Sequence, residues 1–437
     1  MKKLLACTFA LVMTFFLLTA CGNPGGSTPG SAPPDSKPSE NVASADKEYI
    51  LVGRVVPLTG SIAAFGAGTP YIEEQAVAEI NAAGGIYIEE YGKKLPIKFV
   101  IADSESSATK ASEAATKLIL EDKIDIMIVS HTADTVLPVS AVCERYGVPC
   151  ISVDCPADMW ADGGPYEYCY HAFFNTETEL LAFADAWNIV ETNKKVGLLC
   201  ATDTEGTIFR ESVSALGNQI EGYTIIDPGQ YTIGSNDFTK IIQKFVEEDV
   251  EIICGPIITP DFATFYRQCL AMNYVPKIFA IDKANLYRAD VISYGDNIGH
   301  GLLSEVWWDP SMDTVSSLTG QTSQELGSMY LEYNPGIVLP PSPIGYKHAN
   351  VELLVDALQR AQSLEPGKFL AAVAKTDLDT IVGHIQFDEN HVCVMNMVVG
   401  QWSVDSSDNW SLNIVANKYL PEIPKSGTAF AMPSSGD

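Results

Sequence analysis

Positive charge is what this chain has least of: across 437 residues, 27 Lys and Arg stand against 55 Asp and Glu, a formal net charge of -28. A surface of that sign repels phosphate backbones, which argues against nucleic acid as a partner and equally against adhesion to an anionic membrane by charge. No two of the 10 cysteines have C-x-x-C spacing, so neither a zinc knuckle nor a redox dithiol is supported. The six histidines show no metal-ligand spacing either. No strand-like run is followed by G-x-G-x-x-G, and Gly66-Ala67-Gly68 lacks the third glycine. The phosphate-loop pattern, G-x-S-x-G and H-E-x-x-H are absent too. No cofactor and no metal are expected. Glu205 with Asp282 could in principle act as paired catalytic carboxylates, but nothing supplies a positioned nucleophile, and the chain is expected not to be an enzyme.

What is present begins at the N-terminus. Met1-Lys2-Lys3 gives a positive start, Leu4 to Leu18 is apolar apart from Thr8 and Thr14, and Thr19-Ala20 are small residues before Cys21. The pattern reads as a secretory signal peptide over residues 1–20, and the apolar stretch is short of the roughly 20 residues that span a bilayer. It resembles the bacterial lipoprotein signal, which implies a mature chain beginning at a lipidated Cys21, fixed to the outer face of a membrane at the cell surface or in the periplasm. Residues 21–48 are rich in Gly, Ser, Pro and Asn and read as a flexible tether. No later segment looks like a membrane span. Setting aside Cys7 and Cys21 leaves 10 - 2 = 8 cysteines in the body. Outside the cytoplasm Cys150, Cys155 and Cys169 could staple a loop. Cys143, Cys200, Cys254, Cys269 and Cys393 sit in apolar runs and read as buried thiols.

From Tyr49 onward, apolar strand-like runs alternate with amphipathic helix-like runs, the pattern of parallel sheets covered by helices. Expected strands are Tyr49 to Val56, Leu95 to Ala102, Ile124 to Val129 and Val148 to Val153. A second set follows at Val196 to Cys200, Tyr223 to Ile226, Val250 to Cys254 and Ile278 to Ile281. Between them fall helices whose N-termini are assigned to Thr69, Thr135 and Thr259 as caps, with Gly147 as a stop. Two alternating sets imply two similar α/β lobes, without a residue-level repeat.

The motifs sharpen this. Gly53-Arg54-Val55-Val56-Pro57-Leu58-Thr59-Gly60, Ala78-Glu79-Ile80-Asn81-Ala82-Ala83-Gly84-Gly85-Ile86 and Tyr146-Gly147-Val148-Pro149-Cys150-Ile151-Ser152 come first. Asn236-Asp237-Phe238, Gly383-His384-Ile385-Gln386-Phe387-Asp388 and Val399-Gly400-Gln401-Trp402 follow in order. Together they resemble the leucine/isoleucine/valine-binding proteins of ABC transporters, over about Tyr49 to Trp402. The resemblance implies the type I periplasmic-binding fold: α/β, two lobes joined by three hinge crossings that close on a small polar ligand and deliver it to an ABC permease. Carried over, lobe 1 is 49–171 plus 305–383 and lobe 2 is 172–304 plus 384–419, with 420–437 as a flexible tail. A monomer is expected. A sensory lipoprotein docking to a signalling receptor would share fold and cleft.

Ligands of open α/β sheets sit beyond the carboxyl ends of the strands. The resemblance places Phe65 as an aromatic wall and the loop Ala133, Asp134, Thr135 as the carboxylate-binding loop, with Ala133 at the usual serine. Asp154 and Cys155 fall in a second such loop, where Pro156 replaces a hydroxyl residue. Glu205 and Ile258 stand at positions usually aromatic, and Asp282 at the acidic position facing an amine, followed by Lys283. A clamp without Pro156 N–H and flanked by Asp134 and Asp154 disfavours an anionic group, so the site is expected to prefer a cationic or neutral polar ligand. Each of these carboxylates has a structural alternative as a helix cap or solvated loop group, Trp160 and Phe65 as packing, and His131 as a hydrogen-bonded core residue.

A Cys21→Ser variant should be released from the membrane yet bind ligand normally. Fractionation and calorimetry check this, and loss of binding would mean that the fold begins elsewhere.

Overall fold

The computed structural model describes residues 47–216, 220 and 222–433. The proposed signal peptide, Cys21 and nearly all of the tether lie outside them. Among the described residues, no helix is long and apolar enough to cross a membrane.

Apolar runs become strands where they can be buried on both faces. Ile50–Val56 pairs in parallel with Ile97–Asp103 on one side and Ile126–Val129 on the other. Cys150–Ser152, Cys169–Phe173 and Val392–Val394 extend the same parallel sheet to six strands. The second sheet has seven. Thr224–Ile226, Lys195–Leu198, Ile252–Gly255, Ile278–Ile281 and Leu303–Val306 are parallel, and Val398–Val404 with Trp410–Ala416 close one edge antiparallel. Near-continuous hydrophobic strands are what sheets covered on both faces demand. Each sheet with its helices is one lobe, the expected two-lobed α/β architecture.

Three crossings join the lobes, at 173–176, 306–309 and 394–398. The first two lie within a few residues of the expected borders. The third does not fall at 383: Val392–Val394 pairs with Cys169–Phe173 in the first sheet, and the chain changes lobe only afterwards. Residues 384–394 therefore belong to lobe 1, and strand Leu303–Val306 wholly to lobe 2. The expected flexible tail is also corrected over its described part. Ile423 and Met432 are buried, Phe430 N–H donates to Gln401 Oε1 at 3.0 Å, and Met432 N–H donates to Lys277 O at 2.8 Å.

Helix ends show where local rules held. Gly147 stops Ala133–Tyr146 with φ 68°, a left-handed cap that glycine adopts without penalty. The three threonine caps are corrected: the cap positions are Gly68, Thr132 and Ile258, none with a side-chain cap bond. Thr69 and Thr259 open the helical turns, and Thr135 lies within its helix. Thr69 Oγ1 meets His131 Nε2 at 3.1 Å instead, because that partner is buried and would otherwise lack one. All eight body cysteines are free, Cys150, Cys155 and Cys169 included.

Trp160 is core: it stacks on Tyr166 with ring centroids 4.3 Å apart and donates Nε1–H to Ser140 Oγ at 3.1 Å. Trp307 sits at the second crossing and meets Phe173 of the first edge-on at 4.7 Å. Phe173 also contacts Tyr346 of helix Pro343–Ala361 at 5.0 Å, so an aromatic cluster binds two crossings to lobe 1.

Ending the chain after Tyr419 removes the burial of Ile423 and Met432, each worth about 1.5 to 3 kcal/mol. Urea unfolding of the shortened chain should show a loss of about 3 to 6 kcal/mol. An unchanged midpoint would contradict the packed tail.

Candidate functional site

The carboxyl ends of both sheets face each other across one cleft. From lobe 1 come Phe65, the His131-Thr132-Ala133 turn after Ile126–Val129, and Asp154 and Pro156 after Cys150–Ser152. From lobe 2 come Glu179 on helix Thr176–Trp187, Glu205 on Thr204–Leu216, Asp282-Lys283 after Ile278–Ile281, and Glu305 on Leu303–Val306. Phe173, Phe174 and Trp307 of the crossings complete the wall. The walls leave a cavity of about 20 Å³, room for about one water centre, so the lobes stand closed.

Of the residues expected from sequence, Phe65, Ala133, Asp154, Glu205 and Asp282 are brought together here. Asp134 is not part of the cavity wall but feels Lys283 and Asp203 of the opposite lobe. Three more do not line the cavity. Thr135 is buried inside its helix, Cys155 is buried with its thiol toward Pro156 O at 3.7 Å, and Ile258 packs at the start of Thr259–Ala271. Glu179 and Glu305 were not anticipated. Their signal was weak: Glu305 is an acid inside the run Leu302-Leu303-Ser304-Glu305-Val306, and Glu179 shares a helical face with Phe183.

Charge is the dominant feature of the lobe 2 wall. Lys283 Nζ lies 2.6 Å from Glu205 Oε2 and 3.8 Å from Asp203 Oδ2. Burial alone would lower the Lys283 pKa, but Glu205, then Asp203 and Asp134, outweigh it and keep the ammonium firmly charged. Glu179, Asp282 and Glu305 form a second group, in none of the ion pairs among the described residues. Glu179 and Asp282 share a hydrogen bond. Burial, then the neighbouring carboxylates, pushes Glu179 and Glu305 well above the ordinary carboxylate range and Asp282 up to about 7.

Lobe 1 supplies a different floor. Arg54, fully buried in the middle of Ile50–Val56, pairs with Glu73 at 2.5 Å and reaches Ser130 Oγ at 2.6 Å. Lys347 stands 3.9 Å from Asp154. Burial raises Asp154 to about 6 against the pull of Lys347, and lowers Lys347 to about 8. Two non-glycine residues at the rim have left-handed backbone, His131 with φ 111° and Asp154 with φ 60°. Such conformations cost about 1 to 3 kcal/mol each and persist where surrounding contacts over-determine them. The His131 ring is held by Thr69. Among the described residues, no group of three or more His, Cys, Asp and Glu is arranged to hold a metal ion.

A family model described as periplasmic binding protein matches residues 50–409. An amino acid binding protein of Pseudomonas aeruginosa is 22% identical over 357 residues, 81% of this chain and 90% of that protein. A leucine binding protein from Thermotoga maritima superposes with a TM-score of 0.70 at 17% identity, over 84% of this chain and 99% of that one. A solute binding protein of an ABC transporter from Rhodopseudomonas palustris, in complex with 3,4-dihydroxybenzoic acid, gives 0.63 at 17% identity, over 85% and 97%.

The shifted carboxyls fix a pH dependence. Asp282 holds its proton more tightly folded, at about 7, than at its ordinary 3.8, so between these values the folded state carries more protons and stability falls as pH rises. Asp282→Asn removes that slope. Thermal unfolding between about pH 5 and about pH 8 should decline less in the variant, leaving it the more stable of the two at the upper end. His171, lowered to about 4 by burial, adds an opposite slope to both chains and cancels in the difference. Parallel curves would contradict the assignment.

Proposed function

Since the chain belongs to the periplasmic binding protein family, we propose that it is an extracytoplasmic solute-binding protein that closes its lobes on a small organic cation or neutral amide and delivers it to an ABC permease. The observation that carries the ligand class is the group Glu179, Asp282 and Glu305: three buried carboxyls outside every ion pair among the described residues. A buried carboxyl without a cation keeps its proton, and an arriving ammonium replaces that proton with an ion pair. Phe65, Phe173, Phe174 and Trp307 face the same space, and their ring faces suit the apolar body and the charge of an organic cation.

The same geometry argues against a carboxylate-led ligand. Pro156 offers no N–H, and Asp154 is aimed at the lobe 1 side of the cleft. Thr132 Oγ1 is buried there without a hydrogen-bond partner and supplies a polar contact for an amide carbonyl or a hydroxyl. Anchoring follows the same reading: an acidic body gains nothing from an anionic membrane surface, so the acyl chains of a lipidated Cys21 hold it near its permease.

Closure supplies the signal to the permease. Both lobes contribute to the ligand shell, so occupancy favours the closed arrangement by the contacts that only it provides. The chemistry has a measurable consequence in pH, because the bound cation displaces protons from the lobe 2 group.

Calorimetric titration with phenethylamine, putrescine, leucinamide and leucine tests the reading. Amines or the amide should bind more tightly than leucine, and the amine Kd should fall as pH rises from about 6 to about 8, by up to about tenfold per unit for each proton displaced. Glu305→Gln should flatten that dependence. Tight leucine binding with no response to amines or amides would sink the proposal.

A further inference from the structure

A second chamber lies between the lobes, on the far side of strand Leu303–Val306 from the helix that carries Glu205. Its volume is about 350 Å³, within the range of small-molecule sites. Lobe 2 contributes Leu286, Arg288 and Trp402, and lobe 1 contributes Pro310 and Leu339, with Trp308 of the crossing between them. The lining is mostly apolar, and both lobes are needed to form it.

Arg288 breaks the apolar pattern. Its Nε is buried without a hydrogen-bond partner, and its guanidinium is in no ion pair among the described residues. The other charged side chains of the lining do not serve it. Asp309 Oδ1 accepts from Ser311 N–H at 2.8 Å and from its hydroxyl at 2.5 Å. Burial, then Asp282, pushes the Glu305 carboxyl well above the ordinary carboxylate range. A buried donor left unmade is costly, and a guanidinium recognises a carboxylate better than any other small group.

We infer that this chamber is a second ligand site, taking a small monocarboxylate with an aromatic or aliphatic body. The acid group meets Arg288, and the body fills the space between Trp308, Trp402 and Leu339. Because the walls come from both lobes, an occupant contacts all of them only when the lobes are closed. Occupancy then biases the same equilibrium as the cleft ligand, and each raises the affinity of the other. The chamber shares Glu305 with the acidic cleft, but Arg288, its acid-binding group, does not line that cleft, so the site holds whatever the cleft ligand proves to be.

The test uses 4-phenylbutyrate as probe and its uncharged amide as control, followed by calorimetry and by tryptophan emission, since Trp308 and Trp402 form the walls. The acid should bind saturably with one molecule per chain, about tenfold more tightly than the amide. Arg288→Gln should weaken the acid by about the same factor and leave the amide unchanged, making the two equal. Leu339→Trp, which fills the chamber, should abolish both; if that variant fails to fold, the Arg288→Gln ratio still decides. Absence of saturable binding would overturn the proposal, as would an acid-to-amide ratio untouched by Arg288→Gln. Binding lost in Asp282→Asn but kept in both chamber variants would place the acid in the cleft and overturn it equally.

Discussion

The Lys283–Glu205 ion pair, at 2.6 Å with the Lys283 side chain 7% and the Glu205 side chain 10% exposed, is the contact on which the cleft depends. Six carboxyl groups, Asp134, Glu179, Asp203, Glu205, Asp282 and Glu305, converge around that single ammonium. In a dry interior they cannot all ionise, because each unpaired charge costs several kcal/mol of lost hydration. Lys283 settles which do. It lies against Glu205 and near Asp203, and leaves Glu179, Asp282 and Glu305 to share protons. The closed cleft is thereby far less anionic than its composition suggests.

The lobe 1 side is held by a separate set of charges whose role is positional. Arg54 occupies the centre of a buried strand where a valine would pack as well, and a buried pair such as Arg54–Glu73 adds little net stability over an apolar one. What it does is reach past its own strand. Arg54 donates to Ile128 O at 3.2 Å and to Ser130 Oγ at 2.6 Å, the residues immediately before the turn that presents His131, Thr132 and Ala133. The left-handed backbone of His131 lies between two held groups, Ser130, which Arg54 contacts, and the His131 ring, which Thr69 contacts. Removing the charges would leave the sheet and loosen the rim.

Much of this was legible in the chain. Strands such as Ile278–Ile281 announce themselves as short apolar runs between turns, and the turns and helix starts that follow them contain Asp282, Glu205, Asp154, Ala133 and Phe65, all of which line one cavity. Local capping rules misled at Thr69, Thr135 and Thr259, because tertiary partners compete for a threonine hydroxyl and Thr69 found His131. Glu179 and Glu305 were illegible for a different reason. An acid on an apolar helix face or strand reads as exposed, and only the convergence of Thr176–Trp187 with Leu303–Val306 shows both facing the same space. The third crossing was misplaced because Val392–Val394 is a three-residue strand whose membership of the first sheet depends on its partner, Cys169–Phe173, more than two hundred residues earlier.

Strand Leu303–Val306 shows how closure and recognition are joined. Within three residues the chain carries Glu305 into the acidic cleft, lines the second chamber with Glu305 and Val306, and passes to the other lobe through Trp307. Trp307 packs edge-on against Phe173, the last strand residue before the first crossing, and both rings face the cleft. The hinge aromatics are therefore also residues of the cavity wall. No long relay is needed for occupancy to reach the hinge, since the hinge aromatics and the ligand wall are one packed cluster, and close-packed clusters change between discrete arrangements rather than by small deformation. Glu179, Asp282 and Glu305, whose carboxyls burial raises, line the same cavity as these hinge aromatics, so the protonation of the lobe 2 wall and the packing of the crossings share one surface.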